Sequence, residues 1–470
     1  VEAAQPRSHN DSGITTVALL SFLDRERIVA HAGYSRWLVP PAALAIHLSI
    51  GQAYSFSVFN LPLSKLIGGT APAPGDWSLS TLGWIFSIAI VFLGLSAAIW
   101  GEWLERVGPG KAMFASACCF AGGFLVAAVG IRTHQFWLLM FGYGVLGGVG
   151  LGLGYISPVS TLIKWFPDRP GMATGMAIMG FGGGAMIGSP LAVTLMSTFA
   201  GSATHGVAET FVTMGIIYFL FMMIGVFLIR LPREDWKPEG WTPPANHNRM
   251  VTTREVPVSE AWRTTQFRLL WAVLFLNVTA GIGVLGQASA MIQEVFPGRI
   301  TAAAAAGFVG LLSLANMAGR FFWSSTSDKI GRKPTYMIFF ALGAVLYFSV
   351  PTTARIGSVV LFVLAYAVIL SMYGGGFATI PAYLRDLFGT MHVSAIHGRL
   401  LTAWSTAGIV GPVLVNYLRE YQIAHGVASA DSYNTTMYIM GTLLVAGFIA
   451  NVLVRPLDEK PAASARPRAA

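Results

Sequence analysis

The sequence predicts an all-α integral membrane protein of twelve transmembrane helices arranged as two pseudo-symmetric six-helix bundles. Three observations carry this expectation. Of 470 residues, 54% are hydrophobic and only 11% charged, with mean hydropathy +0.62, against about 25% charged in a soluble chain. Many apolar stretches reach the roughly 20 residues that cross a bilayer as one helix. They run continuously, whereas barrel strands would alternate at period two. Third, features of the first half recur in the same order in the second.

The spans lie between charged or Pro/Gly-rich breaks. They are Trp37–Leu61, Ser80–Trp100, Ala112–Ile131, Phe136–Ile163, Met172–Met196 and Phe211–Ile229, then Phe267–Val295, Thr301–Thr326, Thr335–Val350, Gly357–Pro381, Leu400–Tyr417 and Tyr438–Val454. Residues 1–36 form a polar N-terminal segment, apart from Ile14–Leu23, with no cleavable signal, so the first span is expected to direct insertion. Residues 37–230 make the N-terminal bundle and 267–455 the C-terminal bundle. Residues 231–266, with the run EDWKPEGWTPPANHNR, read as a linker from their proline, charge and lack of apolar periodicity. Residues 456–470 are the tail.

A net charge of +9 would point to nucleic acid on a soluble domain, but here the basic residues lie between spans and report orientation. With the termini inside, the inner segments hold 24 of the 30 Lys and Arg and the outer loops 5. Both termini, the linker and the tail are therefore expected on the cytoplasmic side of the cell membrane. The one basic residue left over is Arg320. Cys118 and Cys119, adjacent in an apolar span, have neither metal-site nor disulfide spacing and read as small packing residues.

The halves repeat. Gly51-Gln52-Ala53 of span 1 returns as Gly286-Gln287-Ala288 of span 7, and Pro158 of span 4 as Pro381 of span 10. Such parallel repeats build transporters. After span 2 comes Gly101-Glu102-Trp103-Leu104-Glu105-Arg106-Val107-Gly108, and after span 8, 223 residues on, Ser324 through Asp328-Lys329-Ile330-Gly331-Arg332-Lys333. Each reads as a tight turn: a glycine bends the chain, an acid ends the helix, and basic residues meet headgroups or a neighbouring helix end.

These turns resemble the loop signature of the major facilitator superfamily, twelve-helix transporters that alternate access between two six-helix bundles. The first copy carries Glu105 where aspartate is usual and Pro109 where a basic residue is common; the second carries Ser324 for the leading glycine. Gly150-Leu-Gly-Leu-Gly154-Tyr155-Ile-Ser-Pro158, Lys164 through Gly171, Gly180-Phe-Gly-Gly-Gly184 and the first-span run Gly51 to Phe59 resemble the oxalate/formate antiporter family and its monocarboxylate-transporting relatives. The resemblance implies transport of small carboxylates, by exchange or with a proton. The glycines also have a packing role, since small residues let helices approach closely in lipid.

None of the 21 acids sits in the middle of a span, which disfavours the cationic substrates that buried acids attract. Arg320 is the exception to the neutral interior. It lies eight residues before Asp328, about 12 Å along a helix, inside a hydrocarbon core about 30 Å thick. An arginine there costs roughly 2.5–3.5 kcal/mol to insert. A guanidinium can grip a carboxylate through two parallel hydrogen bonds, and the alternative is an anchor that snorkels to headgroups. Ala97 occupies the equivalent place in the first half, so the repeat does not demand the arginine. Asn316, four residues earlier on the same face, can orient it. The resemblance implies the same, since these carriers hold a carboxylate-binding arginine in span 8.

Around Arg320 we expect Tyr54, Gln52, Tyr143, Tyr155, Gln287, Tyr373 and Trp404 as a substrate cage. His47, read as the histidine deep in a span, is the candidate proton-linked group. Oxalate exchangers, as the resemblance implies, carry a second cation three residues after an aromatic in span 11, where this chain has Ala407 after Trp404. Related animal carriers place an aspartate where this chain has Asn316. One cation matches one carboxylate, so a lactate- or formate-like monocarboxylate fits better than oxalate. A dicarboxylate exchanger is the runner-up, and a transporter-like membrane sensor is the alternative of another class. No nucleophile elbow, metal-ligand cluster or paired buried carboxylates argue for an enzyme. No cofactor, metal or nucleic-acid partner is expected, and the working unit is expected to be a monomer in the bilayer.

Overall fold

The computed structural model describes residues 21–242 and 250–457; residues 1–20 of the N-terminal segment, 243–249 of the linker and 458–470 of the tail lie outside them. Eleven continuous helices among the described residues are long and apolar enough to cross a membrane, and a bent pair makes a twelfth. They are α1 (Arg36–Ser55 and Ser57–Leu63), α2 (Leu79–Val107), α3 (Pro109–Arg132), α4 (Phe136–Trp165), α5 (Pro170–Thr198) and α6 (Val207–Leu228). The second half contributes α7 (Thr265–Val295), α8 (Ala302–Ile330), α9 (Arg332–Arg355), α10 (Val359–Phe388), α11 (Val393–Ala424) and α12 (Asn434–Leu453). Several run one to two turns past the apolar stretches, because charged turns such as Arg385-Asp386 and His397–Arg399 continue the helices beyond the apolar core. α3 turns Cys118 outward, exposed, and leaves Cys119 half-buried, so core packing does not describe Cys118.

α1 is not the single straight span that its apolar run suggests. Its middle tightens to a 3₁₀ turn over Gly51–Ser55 and bends by 45°. Here α1 and α5 touch backbone to backbone: a Cβ on Gly51 would fall 2.8 Å from Phe181 Cα. Ser55 Oγ donates back to Gln52 O at 2.8 Å. α4 carries a π-helical stretch, Met140–Gly147, around Tyr143. Both departures from α geometry are of the kind that accompanies functional sites.

α1 packs on α4, α5 and α6, and α3 on α4 and α6; in the second half α8 packs on α10, α7 on α11 and α12, and α9 on α12. Two seams join the halves, α5 with α8 and α2 with α11. The offset of 223 relates them. Gly175 on α5 sits against the backbone of α8, 2.9 Å from Arg320 O for an added Cβ, and its counterpart Gly398 on α11 abuts the backbone of Ala97 on α2.

The face that carries the described chain ends and the linker, called the near face below, is shut along both seams. The acids of the two repeated turns do not end their own helices, as the sequence suggests. Gly108 (φ +86°) and Gly331 (φ +90°) do that. Instead each acid reaches across a seam to the first turn of a helix in the other half. Asp328 accepts from Gly171 N and Met172 N at 2.8 Å each, and Glu105 accepts from Ala395 N at 3.1 Å. Helix N-termini present unpaired N–H groups and a positive dipole end, so each carboxylate serves as a cap supplied by the opposite bundle. Gly101 is helical and makes a close contact, 2.7 Å from Ala395 Cα for an added Cβ. Glu102 pairs with Arg399 at 2.8 Å and Glu105 with His392 at 3.3 Å.

Arg332 ties Asp328 (2.7 Å) to Asp386 (3.1 Å) and also donates to Ser327. Lys333 donates to the carbonyls of Val452 and Val454 at the end of α12, the neighbouring helix end expected of this turn. Arg106 and Lys329 stay near or at the surface. Gly83 on α2, Gly286 on α7 and Gly307 and Gly310 on α8 have nothing within 4 Å of an added Cβ.

The linker is docked at both ends rather than loose. Leu231 exchanges backbone hydrogen bonds with Ile28 and Ala30 (2.9 Å each), and Trp165 Nε1 donates to Arg230 O at 2.7 Å. On the other side Thr252 N and Val256 N donate to Asp386 O and Phe388 O.

Asp328→Asn halves the charge-assisted capping of α5 and is expected to weaken near-face closure by about 1–3 kcal/mol. Spin labels on Arg169 and Lys329 would then report a larger long-distance population by double electron–electron resonance than in the native sequence.

Candidate substrate site

Arg320 is fully buried. Its guanidinium turns toward the centre of the molecule and not toward headgroups. Nε donates to Asn316 Oδ1 at 3.0 Å, one turn farther from the near face, and Nη1 makes a long 3.4 Å contact to Ile178 O of α5, across the seam. Nη2 has no hydrogen-bond partner. A guanidinium has five N–H donors; these two bonds use two, and the hydroxyls of Tyr54 and Tyr155 stand within range of the group as neutral acceptors, so no partner of Arg320 is an acid. Glycines permit the arrangement. Gly182 of α5 faces the side chain, with an added Cβ 2.9 Å from Arg320 Nε, and Gly319 and Gly374 let α8 and α10 meet backbone to backbone.

Two phenylalanines from opposite halves flank the charge: Phe181 of α5, 5.7 Å from ring centroid to Arg320 Cζ, and Phe377 of α10, 5.3 Å. Such faces stabilise a cation without neutralising it. Outside them stand Trp404, 5.4 Å from Phe181 and 4.5 Å from Phe377, Tyr155, 5.4 Å from Phe181, and Tyr54, 5.0 Å from Phe181. Tyr373 lies 5.2 Å from Phe377. Tyr54, Tyr155 and Tyr373 are within electrostatic reach of Arg320. The Tyr155 hydroxyl and Trp404 Nε1 are buried without partners. Tyr54 and Tyr373 meet hydroxyl to hydroxyl at 3.4 Å and join the two halves on the far side of the cluster.

Of the residues singled out from sequence, Arg320, Asn316, Tyr54, Tyr155, Tyr373 and Trp404 come together. Gln52 and Tyr143 pair with each other instead: Tyr143 donates to Gln52 Oε1 at 3.0 Å, inside the N-terminal bundle among Phe56, Phe124 and Phe211. Gln287 is half-buried on α7, beside the unfilled position of Gly286. His47 lies behind Tyr155, ring centroids 5.5 Å apart. A second buried histidine, His397, also packs against Tyr155, at 5.9 Å, so His47 is not alone in the interior. It was hidden because α11 begins seven residues before its apolar run. Phe181 and Phe377 were also missed. Each adjoins a glycine run, Phe181 within Gly180–Gly184 and Phe377 after Gly374–Gly376, and Phe181 is the repeat counterpart of Trp404 at the same offset of 223.

Two recesses of about 1040 and 740 Å³ lie on the near face beneath the linker, and neither reaches Arg320. They border the two repeated turns; the Arg320 cluster is enclosed. Among the described residues no group of His, Cys, Asp and Glu is arranged to hold a metal ion.

The family model for the Major Facilitator Superfamily matches residues 30–412 and 300–470. The chain belongs to the Major Facilitator Superfamily. It is a membrane transporter of that superfamily, not an enzyme. Similar superfamily proteins include the oxalate:formate antiporter of Oxalobacter formigenes, 27% identical over 429 residues that cover 91% of this chain and 93% of that one. The apicoplast pyruvate carrier 1 of Toxoplasma gondii is 25% identical over 385 residues, 70% of this chain and 68% of the other. Among solved superfamily structures, the proton:xylose symporter XylE superimposes with a TM-score of 0.64 at 16% identity, over 89% of this chain and 96% of that one. FucP in its outward conformation gives 0.62 at 13%, over 89% and 99%. At such identity these structures speak for the superfamily fold alone.

The glycines of the site separate packing from positioning. Gly319→Ala would press a Cβ to 2.6 Å from Ser371 Cα, which no rotamer relieves, and is expected to cost about 1–3 kcal/mol. Gly182→Ala presses on Nε of the held Arg320 side chain and, at 3.2 Å, on Met317 Cα, so it displaces the guanidinium and is expected to cost about as much. Melting temperatures in detergent should fall clearly for both variants.

Proposed function

We propose that the protein is a secondary carrier of small organic anions, most suited to monocarboxylates of lactate or formate size, working by alternating access in the cell membrane. The observation that carries this reading is the enclosed Arg320 guanidinium with Nη2 unpartnered and no acid beside it. A buried, unpaired charge is strongly unfavourable, and a carboxylate placed on the free edge would supply two acceptors to it. Tyr155 and Trp404 hold further unspent donors for the same ligand. The names of two relatives, an oxalate:formate antiporter and a pyruvate carrier, support the substrate class.

The excess of 24 to 5 basic residues supports a cytoplasmic near face. Substrate then arrives from the far, outer side, past Tyr54 and Tyr373, and its carboxylate pairs with Arg320. Because Arg320 also touches α5 through Ile178 O, a ligand that redirects the guanidinium loosens a tie between the halves. Rocking then releases the Asp328 and Glu105 caps, and the site opens inward. Ala407 leaves span 11 without a second cation, which favours one carboxylate over two.

A thermal-shift screen of formate, lactate, pyruvate and oxalate on the purified protein tests the reading, repeated on Arg320→Ala and Arg320→Lys. Monocarboxylates are expected to stabilise the native protein. Both variants should lose at least about tenfold in affinity, since truncating one side of a buried charge pair costs 2–5 kcal/mol or more. Equal carboxylate uptake into liposomes by the native protein and both variants would eliminate the site. Stabilisation by oxalate well above that by monocarboxylates would replace the one-carboxylate reading with dicarboxylate exchange.

A further inference from the structure

Behind Tyr155, displaced from Arg320 toward the near face, two imidazoles are buried from opposite halves of the molecule. His47 of α1 is 0% exposed and His397 of α11 2%. Both rings pack against Tyr155, at centroid distances of 5.5 and 5.9 Å, and feel each other electrostatically.

Nδ1 of His47 lies 3.1 Å from Ala43 O, and the backbone carbonyl of Tyr155 is also within range of the ring. A neutral imidazole has one N–H and can donate to only one of the two carbonyls; a protonated ring can donate to both. Nε2 of His47, Nε2 of His397 and the Tyr155 hydroxyl are buried without partners, and leaving such groups unsatisfied is costly.

The surroundings of the pair are otherwise empty of competing acid. From α8 the facing charge is Arg320, which acts electrostatically on His47. From α4 it is Tyr155, itself in range of Tyr54 of α1, Tyr373 of α10 and Tyr336 of α9. α5 offers Gly180 against His47 Cβ, and α2 offers Ala97 and Ala98 against Gly398. The carboxylates nearer the gate are committed elsewhere: Glu102 to Arg399, Glu105 to His392 and Ala395 N, and Asp386 to Arg332. Among the described residues no carboxylate pairs with either imidazole. Asn316, beside Arg320, cannot titrate, and of the groups around the site only the histidines change charge near neutral pH.

We propose that His47 and His397, both packed against Tyr155, form one shared proton site that fills when Arg320 holds a carboxylate, so that a monocarboxylate crosses with a proton. This rests on the carboxylate reading of Arg320. With the site empty, the arginine's positive charge opposes a second one on His47. A bound carboxylate cancels it, and by linkage proton and carboxylate raise each other's affinity equally. Charge balances: one anion and one proton travel together and no net charge moves. Opening the near face draws α11 away from α4 and α1, parts His397 from His47 and Tyr155, and lets both rings give the proton to inner water beside the departing anion.

The test uses the full chain in liposomes that contain a pH-reporting dye, with membrane potential clamped, and radiolabelled lactate as probe. Two quantities are read: lactate counterflow at equal pH, which needs no net proton movement, and proton entry per lactate taken up. The native protein is expected to show both, with about one proton per lactate. At saturating lactate, His397→Gln and His47→Gln should keep counterflow within about threefold, with half-saturation shifted to higher lactate as the linkage requires, while proton entry and pH-driven accumulation fall at least about tenfold. Retained counterflow also shows that the variants are folded. Native counterflow without proton entry would overturn the proton site and leave the carboxylate reading intact, as would glutamine variants with the native proton-to-lactate ratio. Absence of native lactate counterflow would remove the carboxylate reading, and this proposal with it. If a glutamine variant does not insert, the native ratio alone decides.

Discussion

One uncompensated charge organises the interior. Arg320 is the largest cost in the apolar core: a permanent cation, fully buried, with one good neutral hydrogen bond and no acid. A site of this kind persists only where surroundings over-determine it. Here they do so without neutralising it. Asn316 fixes Nε, Phe181 and Phe377 cover both sides, and glycines on α5, α8 and α10 bring backbones close enough to hold the side chain in place. Each of these devices stabilises the position of the guanidinium while leaving its Nη edge unspent. A helix bundle gains little from such an arrangement for its own stability.

The second constraint is symmetry, and its breaking. At the near face the two halves do the same thing twice: an acid from one bundle caps a helix of the other, and a glycine lets the seam close against a backbone carbonyl. A closure built from a few caps and close contacts can be undone without disturbing either bundle's own core. At mid-depth the repeat is broken, with Arg320 opposite Ala97 and with two histidines that share Tyr155 from both sides of the seam. The charged, asymmetric centre thus lies deeper than the two symmetric closures, and Arg320 itself touches the opposite half at Ile178 O.

Much of this was legible in the chain. The spans followed from apolar length, and Arg320 from a count that assigned every other basic residue to a face. The gate turns were visible as a repeat, but their chemistry was not. That Asp328 and Glu105 cap the opposite bundle depends on which helix starts lie across the seam, and no local pattern encodes that. His397 was misplaced in a loop because helix α11 starts before its apolar stretch does. For a related reason the aromatic and amide candidates divide: Tyr54, Tyr155, Tyr373 and Trp404 gather near the charge, whereas Tyr143 donates to Gln52 Oε1 inside one bundle. Residue type alone does not tell which of these side chains turn toward Arg320 and which into their own bundle. The bend in α1 was equally hidden, since it follows from contact with Phe181 on α5.

The central claim is that the free edge of Arg320 is where a carboxylate sits. A cryo-electron microscopy structure of the protein with lactate at saturating concentration addresses it directly. The account predicts density for one carboxylate against Arg320 Nη1 and Nη2, between Phe181 and Phe377, with its organic end toward Trp404 and Tyr155. Lactate density elsewhere with the guanidinium unmoved from Asn316 and Ile178, or Arg320 turned to an acidic side chain, would contradict it.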